Sequence, residues 1–262
     1  MKIFSKKYHT GVVLSGGAAR GIAHIGILQA FTEHKIQIDI ISGTSAGAIA
    51  GAFFSDGYSP YEILDIFSKK RLYELVRISL PRSGFFKVDG LKNILKKYLQ
   101  TSRLEDLKIP LVVAATNFRD GKITYFEKGQ LVDILLASSS IPILFEMPVI
   151  NGVLYTDGGV IDNLPVEPIR ERCHKIIAAH VNPLGEQDKV KSPVQVIERT
   201  FHMAVASEIY RKKEFVDLFI EPLQLSKFGL LDLKQAKTIF QIGYESADEA
   251  LSAWQQQNLT KG

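Results

Sequence analysis

Hydrophobic positions along the chain fall into short runs that stop at glycines and give way to helical periodicity. The run at residues 11–15 ends in glycines and precedes a helical stretch at residues 21–34. A second run, at residues 36–42, stops at a glycine before the small helix-forming side chains of residues 46–53. Strand, turn and helix thus occur twice within about fifty residues, which is typical of a parallel α/β sheet.

The same alternation of strand-like and helix-like periods continues through the chain. Further strands are predicted at residues 111–115, 122–127, 153–156, 175–181 and 216–221. Further helices are predicted at residues 60–70, 89–99, 131–138, 194–212 and 232–254. The alternation within residues 122–127 indicates an antiparallel strand. Residues 77–87, which mix apolar and basic side chains irregularly, form a candidate lid.

No repeat, linker or low-complexity segment interrupts this pattern, so we predict a single domain over residues 1–262. The expected architecture is a three-layer α/β/α sandwich with a mostly parallel central sheet. The composition agrees with this expectation. Apolar residues make up 46% of the chain and charged residues 23%, which permits a large core and excludes a disordered chain.

Cysteine content indicates the cellular compartment, whereas net charge does not separate the possible binding partners. The net charge of +4 suits an anionic membrane surface or a nucleic acid equally well. With Cys173 as the single cysteine, no internal disulfide can form and no zinc spacing is present, so we expect a cytoplasmic protein. The N-terminus lacks a secretory apolar run and no stretch is long enough to span a bilayer, so membrane contact should be peripheral.

The pentapeptide at residues 43–47 matches the G-x-S-x-G pattern of a nucleophile elbow. Such an elbow needs a serine on a strained turn between a strand and a helix, so that its hydroxyl stands free above the sheet. Gly43 and Gly47 permit this crowding, and Ser45 lies between an apolar run and an alanine-rich helix start. The alternative is that Ser45 only caps the following helix. The setting favours Ser45 as a covalent nucleophile.

A second glycine-rich segment, residues 16–21, follows the first predicted strand and opens a helix. A dinucleotide fingerprint would need glycine at position 18, where this chain has alanine. A P-loop would need lysine after its last glycine, where this chain has isoleucine. The remaining hypothesis is an oxyanion hole, in which several backbone N–H groups face a developing negative charge. Arg20 either adds positive charge nearby or pairs with an acidic neighbour at the surface.

Two kinds of residue are candidates for the base that accepts the serine proton. The histidines of the chain are His9, His24, His34, His174, His180 and His202. Among them, His180 is the best alternative, because it ends a strand and follows the order Ser, Asp, His of α/β-hydrolases. Asp157 also ends a predicted strand, and Gly158 and Gly159 let the chain turn sharply behind it. Burial would have to raise its pKa for Asp157 to act as a base, and an ordinary turn is the competing interpretation.

Taken in order, these motifs resemble those of the bacterial patatin-like phospholipases, lipid acyl hydrolases with a Ser–Asp dyad. The resemblance runs from about residue 11 to residue 182. It rests on residues 16–21, 24–28, 43–47, 137–142, 157–159 and 162–165. The family often has a third glycine where this chain has Ala18. An alanine leaves the backbone N–H available, so we expect activity to survive this departure.

Carried over residue by residue, the resemblance implies that Ser45 is the nucleophile and Asp157 its base. The implied oxyanion hole is formed by the region of Gly16, Gly17 and Ala18. The implied supporting residues are Arg20, Gly43, Gly47, Gly158 and Gly159. The C-terminal helices beyond residue 182 are expected to be scaffold.

The implied activity is hydrolysis of carboxylic ester bonds in phospholipids or related lipids through an acyl-enzyme, with neither a metal nor an organic cofactor. The expected partners are a lipid ester, which the resemblance implies, and by peripheral contact an anionic surface at the inner membrane face, with no nucleic acid. The apolar side chains of residues 78–86 among Arg77, Arg82 and Lys87 either make this contact or complete the core. Two alternatives share this fold. One is a soluble thioesterase or short-chain carboxylesterase, and the other is a non-catalytic lipid-binding domain.

Overall fold

The computed structural model describes residues 6–68, 89–142, 144–185, 193–229 and 233–259. The candidate lid at residues 77–87 lies outside these described residues. The prediction that residues 1–262 form a single domain stays a prediction.

Eight strands of the described chain form one sheet. They are β1 Tyr8–Leu14, β2 Ile40–Thr44, β3 Leu111–Asn117, β4 Lys122–Phe126, β5 Val149–Ile150, β6 Val153–Asp157, β7 Cys173–Ala179 and β8 Leu218–Ile220. Hydrogen-bonded neighbours follow the order β5-β6-β3-β2-β1-β7-β8, and β4 also pairs with β3. The pairs from β3 through β2, β1 and β7 to β8 are parallel, whereas β3–β4, β3–β6 and β5–β6 are antiparallel. The predicted antiparallel strand at residues 122–127 is therefore confirmed.

The helices lie on both faces of this sheet. They are α1 Ile22–Glu33, α2 Ala46–Asp56, α3 Pro60–Ser68, α4 Asp89–Tyr98, α5 Leu131–Ser138, α6 Glu167–Arg170, α7 Pro193–Lys212 and α8 Ala236–Leu259. None of the helices in the described ranges is both long and apolar enough to cross a bilayer.

Side chains along each central strand alternate between two cores. In β1, Val12 and Leu14 belong to one core and Val13 to the other, and in β2 the same division separates Ile41 from Ile40. The first core packs against helices α1 to α5 and α8, and the second packs against α6 and α7. Because successive side chains of a strand point to opposite faces, strands buried on both faces are apolar throughout. The predicted three-layer α/β/α sandwich is confirmed.

One predicted strand begins too early. The apolar run at residues 36–42 predicted a strand from Ile36, but β2 starts at Ile40. Residues before it form the exit from α1: Lys35 has a φ of 54°, and the Ile36 N–H donates to the Phe31 carbonyl oxygen at 2.9 Å. Asp39 then holds the entry to the sheet, since its carboxylate accepts the Thr10 N–H at 2.8 Å. Hydrophobicity alone did not separate the helix exit from the strand.

Helices α1 and α8 pack at a distance that only glycine permits. A Cβ at Gly26 of α1 would lie 2.0 Å from the carbonyl oxygen of Phe240 in α8. Reciprocally, a Cβ at Gly243 of α8 would lie 2.2 Å from the carbonyl oxygen of Ala23 in α1. Both obstructing atoms belong to the backbone, which cannot move aside as a flexible side chain does. The helix that follows the glycine loop is thus fixed against the C-terminal helix.

We predict that Gly26→Ala and Gly243→Ala each lower the free energy of unfolding by about 1–3 kcal/mol, because overpacking must separate the two helices. Chemical denaturation monitored by circular dichroism measures this change. Glu249→Ala, at an exposed position of α8, is the matched control and should change stability by less than about 0.5 kcal/mol. A gain in stability at Gly26, as alanine gives in an exposed helix, would contradict the close packing.

Candidate active site

Ser45 occupies a sharp turn between β2 and α2. Its φ of 51° and ψ of −120° place a residue with a side chain in a region that normally favours glycine. Such a conformation costs on the order of 1–3 kcal/mol and is concentrated at functional sites. The neighbouring glycines are needed for packing: a Cβ at Gly47 would lie 2.3 Å from the Leu14 carbonyl oxygen, and one at Gly43 would lie 2.8 Å from Ala48 Cα. The geometry is that of a nucleophile elbow.

Strands β2 and β6 meet end to end beside β3. Residues 113 and 114 of β3 pair with both β2 and β4, so these two strands lie on opposite edges of β3. Residues 115–117 pair with both β4 and β6, so β6 lies on the same edge as β2. β2 ends at Thr44 opposite Ala114, and β6 approaches from the other direction and ends at Asp157 opposite Ala115. Ser45 and Asp157 are adjacent for this reason.

Asp157 is a buried carboxylate in direct contact with the serine. Its side chain is 4% exposed and accepts hydrogen bonds from the Ser45 hydroxyl and, at 2.7 Å, from the Gly159 N–H. Burial raises the pKa of Asp157 to about 6, and the two hydrogen bonds oppose this change only in part. Gly158 is required behind it, because a Cβ there would lie 2.3 Å from the Ala114 carbonyl oxygen. A carboxylate with this pKa is ionised at pH 7 and is a stronger base than a solvated one.

The glycine loop lies against the elbow on its other side. A Cβ at Gly16 would lie 3.4 Å from Ser45 Cβ. The Gly16 N–H donates to the Asn163 carbonyl oxygen at 3.1 Å, so it is already bonded within the protein. Gly17 and Ala18 follow, and within the described part of the chain their N–H groups have no hydrogen-bond acceptor. Of the three residues expected to form the oxyanion hole, Gly17 and Ala18 are therefore the candidate donors, and a role of Gly16 in it stays a prediction.

Two buried side chains hold the glycine loop. His24 Nε2 donates to the Ser15 carbonyl oxygen at 2.7 Å, and Asn182 Nδ2 donates to the Gly16 carbonyl oxygen at 2.7 Å. Burial lowers the pKa of His24 to about 4, so this histidine is neutral at pH 7. Arg20 is also buried, and its Nε donates to the Phe228 carbonyl oxygen at 2.7 Å. The hypothesis that Arg20 is a surface residue is therefore wrong.

The structure places His180, the alternative base, away from the elbow. It follows β7, and β1 lies between β7 and β2, so two strand spacings of about 4.8 Å separate its strand from that of Ser45. The His180 ring stacks on Phe219 and its Nε2 lies 3.9 Å from Glu221 Oε1. The contact with Ser45 is instead made by Asp157.

Sequence reasoning assigned no role to Ser138, although its run of three serines was part of the resemblance. The Ser45 N–H donates to Ser138 Oγ at 2.8 Å, and Ser138 Oγ donates in turn to the Ala114 carbonyl oxygen at 2.6 Å. Ser138 thereby fixes the backbone of Ser45 to β3. As for a metal site, no cluster of three or more His, Cys, Asp or Glu side chains occurs in the described ranges.

A sequence profile of a known family matches the region that carries all of these residues except Asn182, His180 and the C-terminal contacts. The profile, described as patatin-like phospholipase, covers residues 12–170, more than half of the chain. The chain belongs to the patatin-like phospholipase family. The motifs at residues 16–21, 43–47 and 157–159 all lie within the matched region.

Curated relatives of this family member come from fungi and from a bacterium. Lysophospholipase NTE1 of Meyerozyma guilliermondii is 27% identical over 278 residues, which cover 93% of this chain and 19% of that protein. An uncharacterized NTE family protein of Mycobacterium bovis is 30% identical over 172 residues, which cover 63% of this chain and 46% of that protein. The chain thus spans about a fifth of the length of its fungal relatives.

A solved structure shows the same fold. VipD from Legionella pneumophila aligns with a TM-score of 0.53 and 17% sequence identity, over 94% of this chain and 67% of that one. The fold shared with VipD therefore extends beyond residue 170, into the C-terminal helices of the chain.

Ala18 lies in the glycine loop of this patatin-like chain at a position where the family often has glycine. Its φ of 44° is left-handed, which costs a residue with a Cβ about 1–2 kcal/mol. We predict that Ala18→Gly keeps ester hydrolysis and leaves the free energy of unfolding unchanged or raised by up to about 1 kcal/mol, since added chain entropy offsets part of the relief. Denaturant titration and an ester assay measure both effects.

The control for this variant is Ala19→Gly, one residue along, where φ is not positive and no strain is relieved. Ala19→Gly should lower stability by about 0.5–1 kcal/mol. Equal losses in both variants would show that the left-handed turn at Ala18 is unstrained.

Proposed function

We propose that this patatin-like chain is a serine lipid acyl hydrolase that cleaves carboxylic esters through an acyl-enzyme on Ser45. The observation that carries the proposal is the hydrogen-bonded Ser45–Asp157 pair beside two unbonded backbone N–H groups. Ser45 is on a strained elbow, Asp157 is buried with a pKa raised to about 6, and Gly17 and Ala18 offer the donors. Together these are the nucleophile, the base and the oxyanion site that acyl transfer requires.

In the first half of the proposed reaction, Ser45 Oγ attacks the ester carbonyl carbon while its proton passes to the Asp157 carboxylate. The carbonyl oxygen becomes an oxyanion, and the N–H groups of Gly17 and Ala18 stabilise it. One such donor typically lowers the barrier by about 2.7–4 kcal/mol. The intermediate then expels the alcohol, which takes the proton from Asp157, and the acyl group stays on Ser45.

In the second half, water gives a proton to Asp157 and attacks the acyl carbon. Collapse of the second intermediate breaks the bond to Ser45 Oγ, which recovers the proton from Asp157. The fatty acid leaves and the dyad returns to its starting state. Every proton moves between Ser45, Asp157, water and the alcohol, so the proposed cycle needs no metal or organic cofactor.

The pKa of Asp157 supports its role as the base. An ordinary aspartate, with a pKa near 4, binds a proton too weakly to assist a serine hydroxyl. Burial moves the pKa of Asp157 to about 6, so that it is ionised at pH 7 but a stronger base than a solvated carboxylate. Asp157 is in addition hydrogen-bonded to the serine.

Phospholipids or related lipids are the proposed substrates. Two observations support them: the family to which the chain belongs, and the printed name lysophospholipase of its fungal relatives. We further propose a cytoplasmic location, supported by Cys173 as the single cysteine, and peripheral contact at an anionic membrane surface, supported by the net charge of +4. A bacterial source remains part of the proposal, supported by the relative from Mycobacterium bovis.

A lipid panel tests the proposed function. It should contain diacyl phospholipids, lysophospholipids, acyl-CoA thioesters and p-nitrophenyl esters of increasing chain length. We expect fatty acid release to be greatest from a lipid ester, and Ser45→Ala and Asp157→Asn to lower kcat/KM by at least about 10³-fold, since each removes a member of the dyad. Titration of released fatty acid measures the rate.

His180→Gln is the matched control for this experiment, since His180 was the alternative base. It should stay within about fivefold of the wild-type kcat/KM if it has no part in proton transfer. Undiminished hydrolysis by Ser45→Ala would overturn the mechanism. A preference for thioesters or for short acyl chains would make the chain a thioesterase or carboxylesterase, and absence of fluorophosphonate labelling at Ser45 would indicate a lipid-binding domain.

We also predict the pH dependence of the reaction. Asp157 must be deprotonated to act, so kcat/KM should fall tenfold per pH unit below a pKa of about 6 and reach a plateau above it. An unperturbed histidine titrates near pH 6.5, so the pH at which kcat/KM falls does not by itself distinguish Asp157 from a histidine base. The same fall in kcat/KM at acid pH should therefore be seen in His180→Gln. Circular dichroism at each pH excludes unfolding, and loss of this fall in His180→Gln would contradict the Asp157 assignment.

A further inference from the structure

A buried lysine at the end of α7 is bonded entirely to the segment behind Asp157. Lys212 is 3% exposed, and its ammonium donates to Asp162 Oδ1 at 2.6 Å, Glu167 Oε2 at 2.7 Å and the Leu164 carbonyl oxygen at 3.0 Å. An ammonium has three hydrogens, so all of them are used. Lys212 lies beyond residue 170, where the family profile ends. It therefore belongs to a part of the chain that sequence reasoning treated as scaffold.

Asp162 is the buried ion-pair partner of Lys212. Its carboxylate is buried, and it accepts hydrogen bonds from the Tyr125 hydroxyl at 2.6 Å and the Leu164 N–H at 3.1 Å as well as from Lys212. Tyr125 belongs to β4, so Asp162 is held from two separate elements and from its own loop. A buried carboxylate stays ionised at low cost only when it is paired and hydrogen-bonded in this way.

The backbone of Asp162 contacts both halves of the dyad. Its N–H donates to the Gly158 carbonyl oxygen at 2.8 Å, which closes the turn that follows Asp157. Its carbonyl oxygen accepts the Thr44 hydroxyl at 2.9 Å, and Thr44 precedes Ser45. A movement of Asp162 would therefore change the position of the base relative to the nucleophile.

We propose that Lys212 is a positioning residue, which holds the Asp157 turn against the nucleophile elbow through its ion pair with Asp162. This inference rests on the proposed function of Ser45 and Asp157. Without the ammonium, the buried Asp162 carboxylate loses the cation that balances it, and the loop must rearrange to bring water to it. Glu167 has less influence, because its side chain is 47% exposed and remains solvated.

The kinetic test compares Lys212→Met, which keeps the length of the side chain but not its charge, with Lys213→Met at the next, exposed position. A displacement of about 1 Å between reacting groups can cost up to about a hundredfold in rate. We expect Lys212→Met to lower kcat by about 10- to 100-fold with KM within about twofold, because dyad geometry and not lipid binding is altered. Lys213→Met should keep both constants near those of the wild type.

A double variant tests whether Lys212 acts through Asp162. In Lys212→Met/Asp162→Asn no buried charge is left unpaired, so kcat should exceed that of Lys212→Met by about threefold or more and remain below the wild-type value. If Lys212→Met does not fold, this double variant takes its place. A wild-type kcat in the double variant would overturn the proposal. So would a double variant whose fold-loss in kcat equals the product of the fold-losses of Lys212→Met and Asp162→Asn.

Hydrogen exchange supplies a readout that does not depend on activity. In Lys212→Met the amides of Gly159 and Asp162 should exchange faster, while those of β1 and β7 keep wild-type protection. Unchanged exchange rates at both amides in Lys212→Met would contradict the positioning role, even if the activity of this variant fell. Full activity of Ser45→Ala would instead defeat the proposed function, and the exchange result would still decide whether Lys212 holds the turn.

Discussion

The site depends on one constraint, which is that two strands share a single edge of β3 and meet head to head. β2 occupies this edge as far as Thr44, and β6 occupies the remainder from the opposite direction as far as Asp157. Neither chain can continue straight, because the other strand fills the space ahead. Ser45 therefore turns into α2 with a positive φ, and Gly158 turns where a Cβ would meet the Ala114 carbonyl oxygen at 2.3 Å. The strain of the elbow and the contact of the dyad have the same origin.

The burial that follows from this arrangement sets the protonation of the site. The Asp157 carboxylate is removed from water, which raises its pKa to about 6, and the same effect lowers the pKa of His24 to about 4. Burial thus makes the aspartate more basic and makes the histidine of α1 a neutral hydrogen-bond donor. Such strained and desolvated groups reduce folding stability, as is usual where function needs a reactive arrangement.

The surrounding structure offsets this cost by holding the backbone on every side. Ser138 bonds Ser45 to β3, and His24 and Asn182 donate hydrogen bonds to the carbonyl groups of Ser15 and Gly16. Helix α1, which begins next to that loop, is fixed by its glycine contacts with α8. The C-terminal helices are thus joined to the site by direct contacts, among them the ion pair of Lys212 with Asp162 at 2.6 Å.

The sequence by itself determined the features that depend on local chemistry. Glycine spacing and the change from strand to helix periodicity identified Ser45 and the glycine loop, and alternation identified β4 as antiparallel. Local patterns were less informative about where strands begin and helices end. β2 begins four residues later than its apolar run because residues 35–39 complete the exit from α1. The tertiary structure alone decided that β6 runs toward β2, that the Gly16 N–H is bonded to Asn163, and that Asp157 rather than His180 contacts the serine. The contacts of Gly16 with Asn163 and of Ser45 with Asp157 join residues more than a hundred positions apart, and the pairing of strands that creates them depends on the whole sheet.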